Sequence, residues 1–109
     1  MKRVLIESPF KSDDPITARI YKNYLSRAIF HSLAMGEAPF ASHGFYTQYL
    51  DDEIDEERKQ GMSAGFAWGE VAQLVAVYAD YGISRGMKAG VAKWKVYDIP
   101  IEERLIGKL

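Results

Sequence analysis

Cysteine is absent from this chain of 109 residues, so neither a disulfide nor a thiolate-held metal supports its fold or its chemistry. Charge of either sign is not in excess: 14 lysines and arginines face 15 aspartates and glutamates, a net charge of -1. Without a basic surplus to draw in a nucleic-acid backbone, general DNA or RNA binding is not expected. Long apolar runs are also missing. Val4-Leu5-Ile6, which follows Met1 to Arg3, is too short for a signal-peptide core and far too short for a membrane span. The expectation is a soluble, cytoplasmic protein with no membrane partner. His31 and His43 stand 12 residues apart, the first inside a predicted helix, and make no metal motif; no metal and no cofactor are expected. There is no serine-hydrolase elbow, no phosphate-binding loop ending in Gly-Lys-Ser/Thr and no full dinucleotide glycine fingerprint. With no repeat, linker or low-complexity segment, residues 1–109 read as one domain, large enough to hold its own core.

Aromatic residues are present in number. They make up 13 % of the chain, with seven tyrosines and two tryptophans, which suits an interface or a stacking pocket and equally an aromatic core. Arg3 to Ile6 reads as a strand buried on both faces. Asp14-Pro15 predicts a helix start, and Gly36 a C-terminal cap. Between them Ile16, Ile20, Tyr24 and Ala28, flanked by Leu25, Ile29 and Leu33, form one apolar face. Ala38 to Ala41 is a second strand, and Ser42 to Leu50 reads as a loop over the strand ends. Asp51-Asp52-Glu53 opens an acidic first turn, residues 53–60 form a short helix, Gly61 breaks it, and Met62 to about Val71 forms the next. Leu74 to Tyr78 is apolar throughout and is the clearest strand. Ser84 caps a helix over about Arg85 to Val96, and a last strand runs from Ile99 to about Leu105, with Pro100 marking a sheet edge. The order β-α-β-α-α-β-α-β implies a three-layer α/β sandwich. A small parallel sheet of order 2-1-3-4, a reduced flavodoxin-like arrangement, lies between helices.

Such a sheet places a ligand beyond the carboxyl ends of its strands, where the order switches, here between the first and third strands. The loops at that point are Glu7-Ser8-Pro9-Phe10 and Asp80-Tyr81-Gly82-Ile83-Ser84. Gly82 permits a tight turn or a close ligand approach. Ser84, Arg85 and Gly86 start a helix, whose free N–H groups and dipole suit phosphate; an ordinary capped helix after a turn has the same residues. Asp80, at a strand end, fits a ribose hydroxyl contact or a general base, or simply a loop cap. His43 faces the same rim and is able to donate to a ligand or shuttle a proton, though a lone histidine is more often structural. Asp51 and Asp52 fit acid/base work, and also the start of a helix.

The whole chain resembles a group of small phage and bacterial proteins related to the nucleoside 2-deoxyribosyltransferase-like superfamily. The residues that carry the resemblance are Val4 to Phe10, Gly36 to His43, Tyr49 to Asp52, Ala67 to Gly69, Val77 to Met87 and Ile99 to Arg104. The resemblance implies cleavage or transfer of the N-glycosidic bond of nucleosides or nucleotides. It also implies a catalytic glutamate one turn into the helix after the third strand, in a pattern close to Ser-x-Gly-x-x-x-Glu. Here Ser84 and Gly86 are followed by Gly90 at that position, and glycine supplies no nucleophile. Gly90 also clears bulk from the pocket floor. Glu7, Asp51, Asp52 and Asp80 are the remaining rim carboxylates. A subunit that completes its neighbour's pocket is a further implication, with the aromatic loop Phe45 to Tyr49 reaching across in a homo-oligomer, most simply a two-fold dimer.

Three functional readings follow. The leading one is a protein that binds a nucleotide or nucleotide-derived signal without turnover, through Ser8, Pro9, Phe10, His43, Tyr49, Asp51, Tyr81, Gly82, Ser84, Arg85, Gly86 and Gly90. The second is an N-glycosidase or transferase with Asp80 or Glu7 as a substitute carboxylate. The third is an interaction module with a vestigial pocket.

Overall fold

The computed structural model describes residues 1–109. Strand β1 (Arg3–Glu7) leads to helix α1 (Pro15–Ala34) and strand β2 (Ala38–Phe40). Helix α2 (Ser42–Phe45) runs on into a 3-10 turn at Tyr46–Gln48, and helix α3 (Asp55–Ala67) into another at Trp68–Glu70. Strand β3 (Leu74–Tyr78), helix α4 (Arg85–Trp94), a third 3-10 turn (Lys95–Tyr97) and strand β4 (Ile101–Arg104) complete the chain. The four strands form one parallel sheet in the order β2-β1-β3-β4. No helix is long and apolar enough to cross a membrane.

The apolar runs determine which strands are central. Every residue of β3 is buried, as are Val4, Leu5 and Ile6 of β1, and these two strands pair from Val4↔Leu74 to Glu7↔Val77. Alternation then sends side chains to two faces. Val4, Ile6, Leu74, Ala76 and Tyr78 meet Tyr24, Leu25 and Ala28 of α1. Leu5, Val75 and Val77 meet Met87 and Trp94 of α4, together with Ile99. Pro100 immediately precedes β4, which is an edge strand as its proline suggests.

Helix α1 begins where its cap predicts: Asp14 accepts from the Thr17 amide at 3.1 Å, and Pro15 is the first helical residue. It ends before Gly36, whose φ of 78° is left-handed. Its predicted apolar face is only partly covered. Tyr24, Leu25, Ala28 and Ser32 are buried, while Ile16 is 72 % and Leu33 51 % exposed. A helix of 20 residues spans about 30 Å and a five-residue strand about 17 Å, so the first turn of α1, with Ile16, extends past the sheet. Leu33 stands beside the fully buried Ser32 and faces away from the core.

Of residues 42–50, read as a loop, 42–48 are helical. Gly44 lets α2 lie against α1, since a Cβ there would run into Leu25. Gly61 breaks nothing: α3 continues through it, because the missing Cβ leaves room for Leu50, whose Cδ1 would stand 3.3 Å away. That helix starts at Asp55, so its acidic first turn is Asp55, Glu56 and Glu57 rather than residues 51–53. Helix α4 ends at Trp94, and its predicted last turn is the 3-10 segment.

Under α1 a buried ion pair joins the two edges of the sheet. Arg104, on β4, reaches Glu37 beside β2 with two N–H···O bonds of 2.8 and 2.7 Å. It also donates to the Tyr78 hydroxyl at 3.0 Å, and Ser32 donates to Glu37 at 2.7 Å. The Arg104 guanidinium holds the Glu37 carboxyl below the usual glutamate range, against the opposing effect of burial.

Candidate functional site

Beyond the carboxyl ends of β1 and β3 the chain leaves in opposite directions, to α1 on one face of the sheet and α4 on the other, and a crevice opens between the two loops. It has a volume of about 710 Å³. Of the residues expected at a site, Glu7, Ser8, Pro9, Phe10, His43, Tyr81, Gly82, Ser84, Arg85 and Gly86 line it together. Tyr49 and Asp51 lie instead in an adjoining groove of about 450 Å³, joined to the crevice by Phe10, Lys11, Thr47 and Asp52, which line both.

One wall is the start of α4. Gly82, at φ 82°, turns the chain after β3. The Ser84 hydroxyl then accepts from the Met87 amide at 3.2 Å. The amides of Arg85 and Gly86, ahead of it, have no acceptor within the helix. Arg85 forms no ion pair with any carboxylate of the chain. The wall is therefore electropositive.

The opposite wall comes from the end of β1 and from α2. His43 Nε2 lies 3.0 Å from the Ser8 hydroxyl, and the imidazole packs edge-on against Phe10. Burial pushes the His43 pKa down to about 4, so the ring is neutral at physiological pH. Such a ring is suited to polar recognition and to holding Ser8 in place, but not to acting as a cation.

Glu7 stands on the floor. Burial pushes its pKa up to about 7, against a hydrogen bond from Trp94 Nε1 to its Oε2 at 2.9 Å that works the other way. Gly90 lies directly beneath the carboxyl group, where a Cβ would come within 2.8 Å of Oε1. Gly90 thus touches the site only through Glu7 and does not line the crevice.

Asp80 does not line it either. Its carboxylate accepts from the Tyr24 hydroxyl at 2.6 Å and from the amides of Ile106 and Gly107 at 2.8 Å each, and so pins the C-terminal segment to the end of β3. Burial works to raise its pKa, but these donors outweigh it and the pKa is lowered. With its oxygens engaged in this way, Asp80 is an anchor, and the carboxylates that face the crevice are Glu7 and Asp52. Ile83, from the loop after β3, also lines it, and Lys11, Tyr21, Thr47 and Met87 complete the lining without having been assigned to the site from the sequence. Trp94 was missed as well, although its place one turn after Gly90 sets the two on one helix face.

No curated protein matches the sequence. Among solved structures, the fold is similar to that of a 2-deoxyribosyltransferase from the psychrotolerant bacterium Bacillus psychrosaccharolyticus. The TM-score is 0.72 at 13 % identity, over 98 % of this chain and 75 % of that one. The architecture is thus nucleoside deoxyribosyltransferase-like, an α/β fold with the sheet order 2-1-3-4. Residues 2–104 match the family described as Domain of unknown function (DUF7768), and the chain belongs to that family.

Proposed function

We propose that this chain binds a nucleotide, or a small molecule derived from one, in the crevice between the ends of β1 and β3. One observation carries the reading: in a fold shared with a nucleoside-processing enzyme, a crevice of about 710 Å³ sets the start of α4 and the unpaired Arg85 opposite polar His43 and Ser8. That volume falls within the roughly 300–1,000 Å³ usual for small-molecule sites. A phosphate group lies at the start of α4, and the base lies among Phe10, Tyr21 and Tyr81. Asp51 and Tyr49 extend the site through the adjoining groove. Self-association belongs to the same reading, since Phe45 and Tyr49 stand exposed at the outer rim.

Equilibrium binding of nucleosides and nucleoside 5′-monophosphates, measured by calorimetry, tests the site. Arg85→Ala is expected to weaken the monophosphate by about 1–3 kcal/mol and to leave the unphosphorylated nucleoside unchanged. Equal affinities of wild type and variant for the monophosphate would move the phosphate elsewhere. Binding without turnover is favoured by the intact phosphate-type helix start at Ser84 and by Gly90 in the place of the glutamate. Glu7, standing over Gly90, returns a carboxyl group to the site.

A further inference from the structure

Glu7 breaks the pattern of its own strand. Alternation along β1 places Leu5 and Glu7 on the α4 side, where Val75, Val77, Met87 and Trp94 make an apolar core. An ordinary strand would continue with an apolar residue at position 7. A glutamate serving only structure would also be expected to meet a cation, as Glu37 meets Arg104. Glu7 forms no ion pair, and its one hydrogen bond is the Trp94 indole N–H on Oε2. Its Oε1 has no donor from the protein.

Helix α4 is shaped around this carboxyl. A Cβ on residue 90 would lie 2.8 Å from Oε1 and 2.9 Å from Oε2, so any residue but glycine displaces Glu7. Glycine inside a helix costs about 1 kcal/mol relative to alanine. A half-buried carboxyl without a counter-ion is a further cost. Neither concession adds to the packing, and together they produce one thing: an acid fixed in the lining of the crevice with one oxygen left without a donor from the protein. Local rules broken without a structural return are the mark of a functional position.

We propose that Glu7 is a catalytic residue, the general acid for hydrolysis of the N-glycosidic bond of the bound nucleoside or nucleotide, with Trp94 as its positioning residue. This inference rests on the binding reading above. Glu7 gives its proton to a ring nitrogen of the base as the C1′–N bond breaks and its electron pair leaves with the base. Water adds to C1′. One of its hydrogens remains in the new C1′ hydroxyl, and the other restores the Glu7 carboxyl. Nucleoside and water thus become free base and free sugar, with no other reactant. The raised Glu7 pKa keeps a large share of the group protonated near neutrality, as a general acid requires.

The test incubates the protein with nucleosides and nucleoside 5′-monophosphates and separates free base from intact ligand by chromatography, beside calorimetric binding of the same compounds. Wild type is expected to release base. Glu7→Gln should bind the substrate as wild type does, while base release falls roughly 100-fold or more. Trp94→Phe keeps the ring and loses the donor; it should lower kcat with KM unchanged, a split that general loosening of the core would not produce. Circular dichroism and the melting temperature of Glu7→Gln check that its fold is retained. Base release by Glu7→Gln at the wild-type rate would overturn the proposal. Wild type that binds a ligand and returns all of it intact would overturn it too, and would leave the binding reading standing. Absence of binding by every compound would overturn the binding reading itself and this proposal with it.

Discussion

At the scale of single residues, Glu7 links the site to stability. Its carboxyl ionises near pH 7 in the folded chain and in the ordinary glutamate range when unfolded. Between those values the folded state holds more protons, so this residue's contribution to stability falls as pH rises through that window. Glu7→Gln cannot ionise. It is therefore expected to stabilise the fold at about pH 8 and to change it little at about pH 4, as read from urea unfolding at the two pH values. A stability gain independent of pH would mean that Glu7 does not titrate as described. Asp80 shows the opposite use of a carboxylate: three donors hold it charged and occupied. Both residues were legible as carboxylates at strand ends. What separated an acid from an anchor was the set of partners around each. Trp94 lies 87 positions from Glu7, and Ile106 lies 26 from Asp80. Spacing along a chain does not report such contacts.

Among the elements, those whose determinants are local were the ones the sequence disclosed. Asp14 with Pro15, Ser84 with Met87 and the apolar run of β3 each act within a few residues, and each element begins or lies where these signals place it. Helix α3 differs from the reading because Gly61 answers to a distant partner: it is matched to Leu50, so a residue that reads as a breaker is a packing contact. Helix α2 lies in a segment with no clear apolar period, and its Gly44 is fitted to Leu25 of α1. The buried Arg104–Glu37 pair was likewise invisible, since it joins β4 to the residue before β2 across the two central strands. Arg104→Met would leave Glu37 charged under α1 with only Ser32 to meet it. The expected loss is about 3–5 kcal/mol of unfolding free energy, because breaking one side of a buried pair strands the other. Guanidinium unfolding measures it, and Glu37→Gln combined with Arg104→Met should recover part of the loss.

The molecule as a whole is flat, 34 × 33 × 21 Å, and several large apolar side chains reach solvent. Phe30, at 72 % exposure, and Leu33 lie on α1, and Phe45, Tyr49 and Trp68 lie beyond β2. The rings of Phe40, Phe45, Tyr49 and Trp68 adjoin one another, so the residues beyond β2 form one apolar cluster suited to self-association. Sedimentation equilibrium at micromolar concentration is expected to give a dimer or larger closed assembly, and a species of 12.3 kDa alone would count against it. Phe30 and Leu33 lie on the side of α1 turned away from the core, since Ala28 and Ser32 on the same turns are buried; which side of the helix the sheet covers was not legible from its apolar residues alone. The sheet order and the place of the crevice were legible, because alternating strands and helices leave few parallel topologies.

The anchoring of the C-terminal segment by Asp80 also fixes where the chain leaves the domain. Ile106 and Gly107 are bonded to the loop that follows β3, and the Lys108 ammonium lies over the Tyr81 ring, whose residue lines the crevice. Met1 precedes the opposite end of the sheet. A fluorophore attached at Leu109 would therefore stand beside the mouth of the crevice and sense its filling, whereas one attached at Met1 would remain silent.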